Sequence, residues 1–123
     1  MVILLFTVGI LIGALGGILM KLGAQQIGSI EVQSLSLFIQ FLMRMFTNIY
    51  SIAGVALYFS SAIIWQYLLT KLDISLVQPV LALTYVATPI LAIFILGENV
   101  PPIRWVGIIV IIIGVFIVAR SAA

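Results

Sequence analysis

The chain has 123 residues, of which 65% are hydrophobic and only 7% are charged, and its formal net charge is +2. Soluble domains carry about a quarter charged residues, so these few charges leave too little polar surface to coat a soluble globule. The basic residues are scattered singly, which excludes a nucleic-acid-binding patch. Cysteine and histidine are absent, so we expect no metal, no cofactor and no catalytic residues. The composition predicts an integral membrane protein.

Four apolar stretches are each long enough to cross a membrane. A helix takes roughly 20 residues to cross about 30 Å of hydrocarbon, and helices are required because lipid offers backbone groups no hydrogen-bonding partner. The stretches cover about residues 2–20, 49–69, 75–96 and 103–119. Short turns separate the last three of them. We therefore predict an all-α membrane protein in which residues 1–123 form a single four-span domain.

The segment between the first two spans, residues 34–46, is apolar but carries Gln40 and Arg44. A spacing of four places both side chains on one face of a helix. Two interpretations stay open: a short amphipathic helix that lies in the membrane interface, or the tilted start of the second span. Four spans place both termini on the same side. The basic residues divide almost evenly between the two sides, so the sequence predicts no orientation.

Two sets of glycines indicate close helix packing, since small residues let helices approach one another in lipid. Gly9, Gly13 and Gly17 lie four residues apart in the first span, where they serve packing within the chain or against a partner. Gly107 and Gly114 lie seven apart in the fourth span, and we predict that they form a dimer seam. The interior of a four-helix bundle is filled by side chains, so transport predicts a homodimer or a heterodimer with a related four-span subunit.

Several stretches carry a resemblance to a known family, namely residues 72–83, 96–107 and 114–121, together with Lys21 at the end of the first span. They resemble the small multidrug resistance proteins and, more closely, the short EamA-like members of the drug/metabolite transporter superfamily, such as the subunits of the aminoarabinose-phosphoundecaprenol flippase. The resemblance covers nearly the whole chain. It implies a dimeric transporter of the prokaryotic inner membrane, which is surrounded by membrane lipids and handles a lipid or an amphipathic small molecule.

The chain departs from the multidrug members inside the membrane. They carry a glutamate in the first span where this chain has Gly13, and aromatic residues in the third span where it has Gln78 and Leu81. The acids of this chain all fall in predicted loops or at helix ends: Glu31, Asp73 and Glu98. No carboxylate is then expected inside the membrane to exchange protons for an organic cation.

We therefore predict a transporter that flips a lipid-linked anionic substrate, a polyprenyl-phosphate sugar, between leaflets. The first alternative is a small multidrug resistance-type exporter of small organic molecules. The second is a non-transporting accessory subunit of a membrane glycosyltransferase. None of the three interpretations makes the chain itself an enzyme.

Two cations are predicted to bind the substrate. Lys21 and Arg44 suit a phosphate, and the flippase resemblance implies such a group. For Lys21 a second interpretation stays open. It is then an interfacial lysine whose charge the helix dipole favours and whose stem lies along apolar surface.

Prolines and polar residues of the third span form the other predicted site. Pro79 and Pro89 are predicted to kink this span, because proline removes a helical hydrogen bond; alternatively they only shape packing. Gln78 and Tyr85 lie beside these kinks and are predicted to contact the substrate. Trp65 of the second span is predicted to be a wall of the same path, or an aromatic anchor at the membrane surface.

Overall fold

The computed structural model of the chain describes residues 1–29, 31 and 33–121. Over these residues it contains helices and no strand. The elements are α1 (Val2–Ile27), α2 (Leu35–Thr47), α3 (Ile49–Leu69), α4 (Ile74–Leu81), α5 (Thr84–Leu91), a π-helical turn (Ala92–Leu96) and α6 (Pro102–Arg120).

Four stretches in the described part of the chain are long and apolar enough to cross a membrane: α1, α3, the third span Ile74–Leu96 and α6. The all-α, four-span fold class is confirmed, and the chain is a multi-pass integral membrane protein. Because successive spans run in opposite directions, the bundle has two membrane faces. We call the side where α1 ends and α3 begins the α2 face. The side with the turn at residues 70–73 is the turn face.

Helix α1 is longer than the apolar stretch from which it was predicted. It continues beyond Met20 to Ile27, because the following residues are helix-compatible and no proline or charged turn interrupts them. Lys21 therefore lies within the helix and not at its end. At about 1.5 Å per residue, the 26 residues of α1 span about 39 Å, which exceeds the hydrocarbon thickness.

Two glycines bring the backbones of α1 and α3 into direct contact. A Cβ atom built on Gly16 would lie 2.8 Å from the carbonyl oxygen of Gly54, and one built on Gly54 would lie 2.7 Å from the carbonyl oxygen of Gly16. Neither position has room for a methyl group. The two backbones therefore touch directly, which is how helices associate tightly in lipid.

Other pairs extend this contact along both helices in an antiparallel register. The facing pairs are Gly9 with Trp65, Gly13 with Ser61, and Gly23 with Ser51. Together with Gly16, the α1 glycines of this contact are separated along the chain by four, three and seven residues. That spacing is typical of left-handed helix pairs.

The predicted stripe of glycines four residues apart is only partly used within the chain. Gly9 and Gly13 contact α3, but a Cβ on Gly17 would meet no described atom within 4 Å. Gly16 occupies the contact instead. The reason is that the side of α1 that faces α3 follows steps of three and four residues, whereas repeated steps of four drift off the facing side of a helix with 3.6 residues per turn.

Helix α2 is separate from α3, because Asn48 between them adopts an extended conformation. The Asn48 side chain accepts a hydrogen bond from the Ser51 amide at 3.1 Å and donates one to Gln26 Oε1 at 2.9 Å. It thereby caps the start of α3 and ties it to the end of α1. None of the α2 residues is buried. The helix packs against α1 and α3 at the α2 face. It is therefore a separate helix and does not form the first turns of the second span.

The third span is interrupted twice. Between α4 and α5 the amides of Ala82 and Leu83 bond to carbonyls three residues back, at 3.0 Å each. This interruption lies three residues beyond Pro79. The π-helical turn begins three residues after Pro89 and ends at Gly97. The positive φ of Gly97, 67°, is a conformation that favours glycine.

Helix α6 is the outermost span and packs against α4 and α5. Its buried side chains are Ile108 and Val115. Gly107 and Gly114 precede them by one residue each, lie exposed, and have nothing within 4 Å of a built Cβ atom. Within residues 1–29, 31 and 33–121, these two glycines therefore take no part in packing.

We predict that Gly16→Ala lowers the stability of the protein by about 1–3 kcal/mol, because an added methyl overpacks a contact between backbones. Gly17→Ala is the matched control. It makes the same change one residue along the same helix, where space is open, and should leave stability unchanged or raise it slightly, since alanine favours helix over glycine. Denaturant unfolding in detergent micelles measures both. Equal effects of the two substitutions would contradict the α1–α3 contact described above.

Candidate substrate cavity

A cavity of about 300 Å³ opens between α1, α3 and the first two helical pieces of the third span. Its lining residues are Gly13, Tyr58, Ser61, Ala62, Trp65, Gln78, Leu81, Ala82, Thr84 and Tyr85. No residue of α6 lines it. The volume is at the lower end of the range for small-molecule sites.

The cavity lies between the middle of the membrane and the turn face. Gly13 is halfway along α1, and the α3 lining residues run from the middle of that helix towards its end at Leu69. Gln78 is about one turn from the start of α4. The polar groups that line the cavity are therefore close to the turn face.

Two glycines of α1 make the space. A Cβ on Gly9 would lie 2.9 Å from the indole ring of Trp65, so the ring lies directly against the α1 backbone. Phe6 packs on the same ring, with ring centroids 5.9 Å apart. Gly13 leaves the cavity wall without a side chain, and its nearest neighbour across the contact is the Ser61 hydroxyl group.

Hydrogen-bonding groups reach the cavity from both α3 and the third span. Ser61 is only 3% exposed and its hydroxyl donates to the Tyr58 carbonyl at 2.6 Å, which leaves its oxygen lone pairs as acceptors. Pro89 has no amide proton, so the Tyr85 carbonyl lacks its usual helical donor. The interruption at Ala82 sets Thr84 and Tyr85 on the cavity wall together with residues of α4.

The described lining of the cavity contains no acidic and no basic residue. It offers hydroxyl groups, one amide side chain and an indole ring. Such groups recognise neutral, hydroxylated molecules by hydrogen bonds and stacking. Nothing in this lining neutralises a cation.

The cavity is open on one side. Tyr58 is 54% exposed and Tyr85 is 67% exposed, although both line the cavity and lie near the middle of their spans. A hydroxyl group that faces hydrocarbon without a partner is unfavourable. Water, substrate or a second chain is therefore expected on this side.

The structure brings three of the five predicted substrate-binding residues together: Trp65, Gln78 and Tyr85. Lys21 and Arg44 do not line the cavity. Lys21 is eight residues beyond Gly13 on α1, about 12 Å along the helix axis, and Arg44 is in the last turn of α2. Both cations belong to the α2 face, because Lys21 is in the half of α1 that ends at this face and Arg44 is in α2 itself.

Sequence reasoning missed Ser61 as a site residue. A signal was present: Ser61 follows Gly54 by seven residues and Ser51 by ten, so the three small residues share one face of α3. A stripe of small residues on α3 that matches a glycine stripe on α1 predicts facing helices. The glycines of α1 alone do not show which helix faces them.

Comparison with known proteins agrees with the predicted class. A family model described as "Putative transmembrane family 234" matches residues 5–119. No solved structure matches the chain.

Two curated relatives are bacterial proteins named "Probable 4-amino-4-deoxy-L-arabinose-phosphoundecaprenol flippase subunit ArnE". The one from Pseudomonas savastanoi pv. phaseolicola is 32% identical over 60 residues, which are 49% of this chain and 53% of the relative. The one from Pseudomonas syringae pv. syringae is 32% identical over 63 residues, 51% of this chain and 58% of the relative.

The chain therefore spans little more than half the length of these curated relatives. The resemblance to flippase subunits that the sequence motifs indicated is confirmed. Both relatives are named as transporter subunits and not as enzymes, in agreement with the expectation that this chain is no enzyme.

We predict that a cysteine in place of Gln78 reacts with a water-soluble thiol reagent, whereas a cysteine in place of Ile63 does not. The thiolate that reacts forms in water, and a polar cavity near the turn face admits water. Ile63 is on α3 but does not line the cavity. Its side chain is 72% exposed and faces the lipid. The chain contains no native cysteine, so labelling followed by mass spectrometry has no background. Equal labelling of both positions would contradict a polar cavity.

Proposed function

Because the chain belongs to transmembrane family 234 and has flippase subunits among its relatives, we propose that it is a membrane transporter that moves a lipid-linked sugar between leaflets. The observation that carries this proposal is the uncharged, hydrogen-bonding cavity between the middle of the membrane and one of its faces. A polar headgroup crosses the hydrocarbon only when such groups replace its contacts with water.

The chemistry of the lining supports a sugar as the polar group. Ser61, Gln78 and Thr84 provide donors and acceptors for hydroxyl groups, and the Trp65 ring offers an apolar face of the kind on which sugar rings pack. The names of the relatives include an aminoarabinose linked through phosphate to undecaprenol. We propose a polyprenyl-phosphate sugar of that general kind for this chain without specifying the sugar, and a sugar that carries an amine passes the uncharged lining as the free base.

The same lining disfavours the multidrug interpretation. Gly13 contributes no side chain where the multidrug proteins carry a glutamate, and Gln78 and Leu81 stand where they carry aromatic residues. The three acids remain outside the described cavity lining: Glu31, Asp73 and Glu98. Exchange of protons for an organic cation needs a carboxylate in the binding site, and this cavity offers none.

The phosphate of the substrate is proposed to meet Lys21 and Arg44 at the α2 face. Both residues are exposed, and each is directly next to a methionine that lines one shared cavity, Met20 and Met45. The backbones at Lys21 and Arg44 therefore belong to neighbouring parts of α1 and α2. In this proposal the two cations receive the phosphate when the headgroup arrives at that face, and they do not hold it during passage.

A second four-span chain is proposed to cover the open side of the cavity. The exposed aromatic hydroxyl groups of Tyr58 and Tyr85 need polar partners inside the membrane. Gly107 and Gly114 give α6 a smooth exposed strip that suits a partner helix. A homodimer and a heterodimer both meet these requirements.

We predict that Gln78→Ala lowers the rate of headgroup movement by about two- to tenfold, as expected for the loss of one hydrogen bond of about 0.5–1.5 kcal/mol in the rate-limiting state. Ile63→Ala is the control on the lipid-facing side of α3 and should leave the rate unchanged. Purified protein in proteoliposomes is supplied with aminoarabinose-phosphoundecaprenol. An impermeant amine reagent then reports how much sugar has reached the other leaflet.

The same liposomes test the alternatives. Movement of the lipid-linked sugar should not require a pH gradient. Proton-driven uptake of organic cations without lipid movement would overturn the proposal in favour of a multidrug-type exporter. Absence of any movement, together with stoichiometric co-purification of a membrane glycosyltransferase, would overturn it in favour of an accessory subunit.

We predict that Gly107→Leu combined with Gly114→Leu shifts the protein from dimer to monomer without loss of helix content. A Cβ atom at either position meets no described atom of the same chain within 4 Å, so we expect the fold of one chain to be preserved while the seam is blocked. Native mass spectrometry from membranes reports the subunit count. The double substitution Ile109→Leu and Ile113→Leu on exposed positions of α6 is the control. An unchanged dimer in the glycine variant would contradict the seam.

A further inference from the structure

Three apolar cavities continue from the substrate cavity along α3 towards the α2 face. The first, of about 230 Å³, shares Tyr58 and Ala62 with the substrate cavity and adds Val55 and Phe59. The next two, of about 360 and 140 Å³, lie farther along α3 and under α2. Val55 lines all three. We call this series the α3 groove.

Polarity changes along α3 at Tyr58. On the turn-face side of this residue, α3 presents Ser61 and Trp65 to the substrate cavity. On the α2-face side it presents Val55 and Phe59 to the groove. The phenol ring of Tyr58 lines both spaces, so a polar compartment and an apolar compartment adjoin on one helix within the membrane.

The order of the two compartments matches an amphipathic molecule. The polar compartment is nearer a membrane face, and the apolar compartment continues from it into the hydrocarbon core and beyond. A lipid held in one leaflet has this arrangement, with its headgroup near the surface and its chain directed inwards. From Trp65 to Ser51 the two compartments extend over about 21 Å of α3.

The shape of the groove favours a flexible chain over another protein helix. The groove is divided into three adjoining cavities of about 230, 360 and 140 Å³. A slender hydrocarbon chain fits cavities that adjoin in series, whereas a helix about 10 Å wide requires one wide trough.

We infer that the α3 groove is a binding subsite for the hydrocarbon chain of the transported lipid, while the polar part of the same molecule occupies the substrate cavity. This inference rests on the proposed function and names the part of the substrate that the groove recognises. Tyr58 then marks the junction between headgroup and chain. The protein holds a lipid by both of its ends and not by its headgroup alone.

Photocrosslinking on the intact protein in liposomes tests the inference. The probe is aminoarabinose-phosphoundecaprenol with a diazirine in its isoprenoid chain, and mass spectrometry locates the attached peptide. We expect attachment at Val55 and Phe59 of the groove, and no enrichment at Ile63 on the lipid-facing side of α3. Excess unlabelled lipid-linked sugar should abolish the attachment, because it competes for one site.

A groove-filling variant gives an independent measurement. Val55→Trp should lower attachment at Phe59 by about tenfold, equivalent to about 1.4 kcal/mol of lost affinity, and should slow headgroup movement. Ile63→Trp adds the same ring outside every described cavity and should change neither. Circular dichroism verifies that both variants keep their helix content.

The outcomes separate the inference from the proposed function. Attachment spread evenly over lipid-facing residues, in a protein that does move the lipid-linked sugar, overturns the groove and leaves the proposed function standing. A crosslinked protein dimer, formed through a photoreactive amino acid placed at position 55 in a separate experiment, also overturns it, because the groove is then a protein interface. If wild-type protein neither moves nor binds the probe, the proposed function itself fails.

Discussion

The direct contact between the backbones of α1 and α3 determines the arrangement of the rest of the molecule. In lipid there is little hydrophobic drive to bring helices together, so tight packing of small residues supplies much of the association energy. Gly16 and Gly54 permit that contact, and the hydrogen bond from Asn48 to Gln26 fixes the register at one end. This register sets Gly13 opposite Ser61 and Gly9 opposite Trp65. The wall of the substrate cavity is therefore a consequence of helix packing.

One side of α3 serves two kinds of chemistry. Its half towards the turn face lines a polar cavity, and its half towards the α2 face lines apolar cavities. The change occurs at Tyr58, the residue that combines a hydroxyl group with an aromatic ring. Amphipathic substrates differ from soluble ones in that both of their ends need a suitable environment. In this arrangement a single spanning helix, as one rigid element, positions both environments.

The third span shows how a membrane helix supplies polar groups without charge. Proline removes backbone amide donors, and near Ala82 and after Pro89 the span continues through tightened or widened turns with hydrogen bonds of their own. The described lining of the cavity offers hydroxyl groups and one amide side chain, with no carboxylate. Such a lining lowers the barrier for a neutral polar group.

The sequence by itself determined the membrane class, the four spans and the uncharged interior, because composition and the length of apolar runs follow directly from the thickness and low polarity of the bilayer. It also predicted Trp65, Gln78 and Tyr85 one by one as substrate contacts. Only the tertiary structure decided that these residues share one cavity, that Lys21 and Arg44 lie towards the opposite face, and that Gly16 packs in place of Gly17. Those facts depend on which helix faces which and on the geometry of the crossing. The spacing of residues along the sequence specifies neither.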